Sequence, residues 1–200
     1  LQPFAFGQAF AEGDLPAASA LSGAQTNVLT TRPDGSAKTA IVSGYATITA
    51  ATDRPVALVI GTAATGTTVT TSALAAVTAL HDCGTFGTVS WGSADWSAPH
   101  VTVCTGPVMS SWLFRKAVGA DAHLVAWLEV RAFSGGEVQV LPWLENGYVA
   151  VASPTNKSAT YGFSLNATTG EFTVSAAAAN ATLDVTTGDL GGHARGFNEF

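Results

Sequence analysis

Apolar residues recur with a period of about two along most of this chain, and Gly, Pro, Asn and Asp interrupt them about every eight to fifteen residues. Such a chain offers one side of each short segment to a core and turns back before a helical stripe can form, which predicts strands. Scarcity of charge points the same way. Only 11% of the residues are charged, eight Lys plus Arg against fourteen Asp plus Glu, where about 25% is usual. Helices draw on Glu, Lys and Arg for their solvent faces; here Thr, Ser, Ala, Asn and Gly must cover the surface, as suits strands and turns. With 47% hydrophobic residues among 200, a sizeable core is available and a disordered chain is excluded. Ten or more short strands in one domain predict an all-β fold, an antiparallel barrel or sandwich, because a flat sheet that wide leaves long edges.

The turns mark the hairpins. Arg32-Pro33-Asp34-Gly35-Ser36 separates residues 26–30 from 38–45; proline presets φ at the second turn position and Gly35 tolerates a positive φ. Ser134-Gly135-Gly136 joins residues 124–133 to 137–145, and the first arm reads as a central strand buried on both sides. A third hairpin is predicted from 161–165 and 171–175. Shorter strands are expected at 56–60, 68–72, 87–91, 100–104 and 183–186. Residues 72–80 are the one short helix expected, since Leu74, Val77 and Leu80 fall near a 3.6 spacing. The chain reads as one β-rich domain over 1–200, or as a barrel of 1–60 plus 100–200 carrying an insertion at 61–99. It opens on Leu1-Gln2-Pro3-Phe4 and has one methionine, Met109; a segment of a longer chain is expected.

Residues that could carry chemistry are few. Cys83 and Cys104 enclose Trp91, Trp96 and His100. A disulfide closing a loop of about twenty residues would stabilise by roughly 3 kcal/mol; the alternative is two buried thiols. His81, Cys83, His100 and Cys104 also have ligand chemistry for zinc, but their spacing fits no standard module. His123 follows Asp121, yet no Gly-x-Ser-x-Gly elbow supplies a nucleophile. Asp82, Asp95, Glu129, Glu137 and Glu145 could pair for glycoside cleavage, as could acids in any chain with this many. No phosphate-binding glycine loop occurs. No catalytic residue, metal or cofactor is therefore assigned.

Trp112, Trp127 and Trp143 fall in strand-like runs and are expected in the core. Trp91 and Trp96 lie in a Gly-, Ser- and Asp-rich stretch, where a ring could stack on a sugar or fill a partner's pocket. Glycosylation sequons occur at Asn156, Asn166 and Asn180. A net charge of −6 argues against a nucleic-acid partner, because phosphate binding requires clustered cations. No apolar run approaches the roughly 18 to 20 residues of a membrane-spanning helix, so no membrane insertion is expected.

Several stretches, in order, resemble one family. Phe4-Ala5-Phe6-Gly7-Gln8-Ala9-Phe10-Ala11-Glu12-Gly13-Asp14-Leu15-Pro16 and Arg32-Pro33-Asp34-Gly35-Ser36-Ala37-Lys38-Thr39-Ala40 are followed by Gly106-Pro107-Val108, Trp112, Arg115 and residues 124–136. Glu145-Asn146-Gly147-Tyr148 and His193-Ala194-Arg195 complete the series. Together they resemble the RIFT-related β-barrel domain that begins exo-rhamnogalacturonan-lyase-like proteins and also occurs in tail proteins of tailed bacteriophages. Cys83 and Cys104 stand outside that pattern, and residues 56–99 diverge from it. In the lyases the resemblance places catalysis in a later helical-barrel domain, so it maps no catalytic residue onto this chain. It implies a non-catalytic structural or host-interaction module of a virion, contacting other tail proteins, copies of itself or a host surface glycan. The alternative is the accessory β-domain of a secreted bacterial polysaccharide lyase acting on pectin-like polymers.

Overall fold

The computed structural model describes residues 1–47, 57–146, 157–167, 182–185 and 193–195. Among them are fifteen strands: β1 (Gln2–Ala9), β2 (Ala20–Leu21), β3 (Gln25–Thr31), β4 (Ala37–Ala46), β5 (Ile60–Gly61), β6 (Val77–Asp82), β7 (Thr88–Trp91), β8 (Val101–Cys104), β9 (Met109–Val118), β10 (Asp121–Phe133), β11 (Val138–Asn146), β12 (Lys157–Thr160), β13 (Gly162–Ala167), β14 (Thr182–Val185) and β15 (His193–Arg195). Among the described residues, helical structure is limited to α1 (Ser93–Trp96) and two 3-10 turns, Thr71–Leu74 and Gly84–Phe86. The chain is all-β, built of antiparallel sheets of the barrel or sandwich class. No helix among the described residues is long and apolar enough to cross a membrane.

The described strands fall into sheets ordered β1-β4-β3, β15-β11-β10-β9-β8, β13-β6-β7, β12-β14 and β2-β5. Two compact units emerge: Leu1–Thr70 with Val103–Ser111 and Ala132–Glu137, and Thr71–Thr102 with Trp112–Arg131 and Val138–Phe200. Residues 61–70 stay with the amino-terminal part, and 71–102 join the later strands.

In the first unit β4 is the central strand. Gln2 to Ala9 pair one to one with Ala46 to Thr39, and Phe10 continues the register by donating its N–H to the Lys38 carbonyl at 3.0 Å. The Pro33–Gly35 turn returns β3 to β4 as expected. Arg32 donates to the Ser36 carbonyl at 2.8 Å, Gly35 adopts φ +83°, and the Asp34 carboxylate accepts the Ser36 N–H at 2.9 Å and its hydroxyl at 2.7 Å. These bonds hold the Asp34 carboxyl below the usual carboxylate range. Val42, Ala40, Leu15 and Phe10 form one apolar cluster, with Phe4 packed against it; Cys104, Val108, Met109 and Phe133 form another, against which Ala5 and Tyr45 pack.

Gln25 is a buried polar anchor in this unit. Its Oε1 accepts the N–H groups of Val108 at 2.8 Å and Met109 at 3.0 Å, and its Nε2 donates to the Met109 carbonyl at 2.8 Å and to Asn27 Oδ1 at 2.6 Å. Gly106 lies directly against that amide, so close that a Cβ there would fall 2.3 Å from Gln25 Cδ. The glycine is required by packing, not by a turn.

In the second unit Trp91, Trp96, Trp112, Phe114, Leu124, Leu128 and Val130 are buried. The helix expected at 72–80 does not form. Leu74 ends a 3-10 turn and Val77 begins β6, whose Val77, Ala79 and His81 are buried while Thr78 and Asp82 are exposed. Three apolar residues at a helical spacing also fit a turn followed by a strand, and pairing of β6 with both β7 and β13 decides for the strand. Of the other expected strands, 87–91 and 100–104 appear as β7 and β8, and 183–185 fall in β14; of 56–60, described from residue 57, Ile60 begins β5. Residues 68–72 form no strand. The second arm of the third predicted hairpin, 171–175, lies outside the described residues; its first arm falls in β13, which pairs with β6.

Candidate interaction site

The two tryptophans singled out from the sequence are not surface residues. Trp91 is 3% and Trp96 2% exposed, with ring planes stacked at 9° and centroids 6.5 Å apart. Trp96 Nε1 donates to the Val77 carbonyl at 3.0 Å, and Trp91 Nε1 donates to His81 Nδ1 at 3.0 Å. α1 places Trp96: Asp95 accepts the Gly92 N–H at 2.8 Å and pairs with Lys116 Nζ at 2.6 Å, and that ammonium lies 4.9 Å from the Trp91 ring centre. With both rings enclosed, neither can stack on a sugar or enter a partner's pocket, and the expectation of a contact there is corrected.

The candidate acids have structural partners. Asp82 accepts the Gly84 N–H at 3.0 Å, Glu129 pairs with Arg131 at 2.6 Å, Glu137 accepts from the Tyr45 hydroxyl at 3.1 Å, and Glu145 accepts from Trp127 Nε1 at 2.7 Å. Asp121 and His123 open β10, outside the described side chains. Asn166 lies in β13; Asn156 and Asn180 lie outside the described residues.

Among the described residues no group of three or more His, Cys, Asp or Glu could hold a metal ion. His81 is buried, its Nδ1 occupied by Trp91, and burial drives its pKa down to about 3. His100 is exposed and meets the Trp127 ring edge-on at 5.3 Å. Cys83 and Cys104 are both free and buried, one in each unit. Burial, reinforced by the Asp82 charge, pushes the Cys83 thiol up to about 12, far from reactivity at neutral pH.

Two features were not read from the sequence. In the second unit, Arg115 of β9, Trp127 of β10 and Trp143 of β11 stand on successive strands. The guanidinium lies 5.6 Å from the Trp127 ring centre, and the two indoles are parallel within 5° at 5.6 Å. Neighbouring strands run about 4.8 Å apart, so a cation and two rings at matched positions stack as a ladder. Both indoles are half-buried and Arg115 is exposed, so Trp127 and Trp143 are rim residues and not the core residues expected; Trp112 is in the core. Their place on adjoining arms of one hairpin was the available signal.

The second feature is in the first unit. The large apolar side chains exposed among the described residues are Leu1, Phe6, Val28, Leu29, Val59 and Ile60, with Val101 alone in the second unit. Val28 and Leu29 lie on β3 and Phe6 on β1, the two outer strands of the three-stranded sheet. Leu29, 53% exposed, occupies a register shift between Val28 and Thr30. Comparison with known proteins finds no matching family model, no matching curated protein and no matching solved structure.

Proposed function

We propose that this chain is a non-catalytic structural or host-interaction module of a bacteriophage tail, baseplate or fibre, working through protein–protein contacts. The observation that carries the reading is the concentration of exposed apolar side chains on the outer strands of one small sheet. An exposed strand edge carrying apolar side chains is an opening for another chain, and soluble monomers rarely leave one uncovered without a use. Low charge supports it, because few ions need be desolvated when such a surface is buried. The resemblance of the opening strand and first hairpin to the barrel domain of tail proteins supplies the setting. Trp91 and Trp96, both enclosed, play no part.

Mass spectrometry of intact virions purified from the native source tests the reading. Peptides of this chain should co-purify with tail structures in repeated copies. Their absence from virions, together with turnover of a pectin-like polymer by the chain, would overturn it.

A further inference from the structure

The amino-terminal strand β1 carries a second signal in its backbone. Antiparallel pairs alternate between residues that exchange hydrogen bonds and residues that do not. The Phe10 N–H bonded to Lys38 sets the phase, so the even-numbered residues of β1 bond to β4. Pro3, Ala5, Gly7 and Ala9 then turn their backbone groups to the open side, where no described strand pairs with them. Pro3 agrees with this phase, since proline is tolerated in a sheet where its missing N–H would face outward.

That open edge spans eight residues without charge and pairs with β4 without a bulge. Charges, bulges and prolines are the usual means of blunting an edge; β1 has no charge and no bulge, and its one proline, Pro3, lies next to its start. Its sequence, Gln2-Pro3-Phe4-Ala5-Phe6-Gly7-Gln8, reads nearly the same from either end about Ala5. We infer that β1 pairs antiparallel with β1 of a second copy of this chain, centred on Ala5, joining two three-stranded sheets across a two-fold axis. Ala5 then exchanges both backbone bonds with its counterpart, and the Gly7 N–H donates to the second copy's Pro3 carbonyl. Phe4 faces the second copy's Phe6, and Gln2 faces its Gln8, each pair on one side of the sheet. Within one chain Phe4 and Phe6 already stack at 5.8 Å, and Phe6 is 37% exposed. The pairing adds two such rings and covers them. Closed two-fold association of this kind is self-limiting, unlike head-to-tail strand addition.

The experiment is sedimentation equilibrium of the 200-residue chain and two variants. The wild type should show a concentration-dependent dimer. Gly7→Pro removes an outward N–H and leaves the bonds to β4 in place; it should weaken the dimer by roughly tenfold or more with an unchanged circular dichroism spectrum. Should Gly7→Pro misfold, Phe6→Lys sets like charges beside the two-fold axis and must weaken the dimer as strongly. For register, mixed Gln2→Cys and Gln8→Cys chains should crosslink on mild oxidation, and neither alone should. A monomer at every concentration to about 1 mM overturns the inference, as does a dimer indifferent to both substitutions or crosslinked equally by one variant alone. A dimer found for a chain that is absent from virions and turns over a pectin-like polymer would sink the tail reading and leave this pairing standing.

Discussion

At the scale of single residues, buried polar groups decide most. His81 is neutral in the fold: Nδ1 accepts from Trp91, Nε2 is buried without a hydrogen-bond partner among the described residues, and the Phe163 ring stands 5.0 Å away. Its folded pKa, about 3, is depressed from the ordinary 6.5. Its contribution is therefore complete above pH 6.5 and is lost as pH falls toward 3, because only the unfolded chain gains the proton. Urea unfolding at successive pH values should lose up to about 1.4 kcal/mol per unit in that window, and His81→Phe should flatten the profile. Gln25→Ala would leave the N–H groups of Val108 and Met109 and the Met109 carbonyl unsatisfied, costing about 2 to 4 kcal/mol by the same measurement. Gly106→Ala should cost a comparable amount by displacing the Gln25 amide. Neither Gln25 nor the enclosure of Trp91 and Trp96 was legible in the sequence. A polar residue in a Thr-rich strand looks solvated, and a tryptophan in a Gly-Ser loop looks exposed. Burial of each is decided by other segments: Val108–Met109, more than eighty residues on, for Gln25, and the neighbouring strand β6 for the indoles.

At the scale of elements, legibility followed the range of the interaction that fixes each piece. The β3–β4 and β10–β11 hairpins were readable because Pro33-Asp34-Gly35 and Gly135-Gly136 encode their turns within a few residues. The partnership of β6 with β13 joins residues 77–82 to 162–167, and no local pattern announces it; hence Leu74, Val77 and Leu80 were read as a helix. The first hairpin gives a direct check. Gly35 sits at φ +83°, where a β-branched side chain is strained, and a Cβ would come 3.3 Å from that of Ala17. Gly35→Val should lower stability by about 1 to 3 kcal/mol, seen as a lower thermal midpoint, whereas Gly136→Ala, with open space at its Cβ, should cost less. An equal loss at both would mean that backbone strain alone governs these turns.

For the whole molecule, the all-β class was legible because it rests on composition and period, which no single contact can overturn. The division into two units was not, since residues 103–111 and 132–137 belong with residues 1–70, far from them along the chain. Charge operates at this scale as well, and it bears on how copies meet. The chain carries a net charge of −6 spread thinly over 200 residues, and none of it lies in residues 2–9. Association through backbone bonds and phenyl rings should therefore ignore ionic strength, while contacts built on ion pairs weaken as the screening length falls from about 10 Å at 0.1 M salt to about 3 Å at 1 M. Over that range the dimer constant should move by less than about threefold, in the direction of tighter binding, because added salt screens the mutual repulsion of two acidic chains. A tenfold loss would place the interface on the few lysines and arginines instead, and β1, which has none, could not supply it.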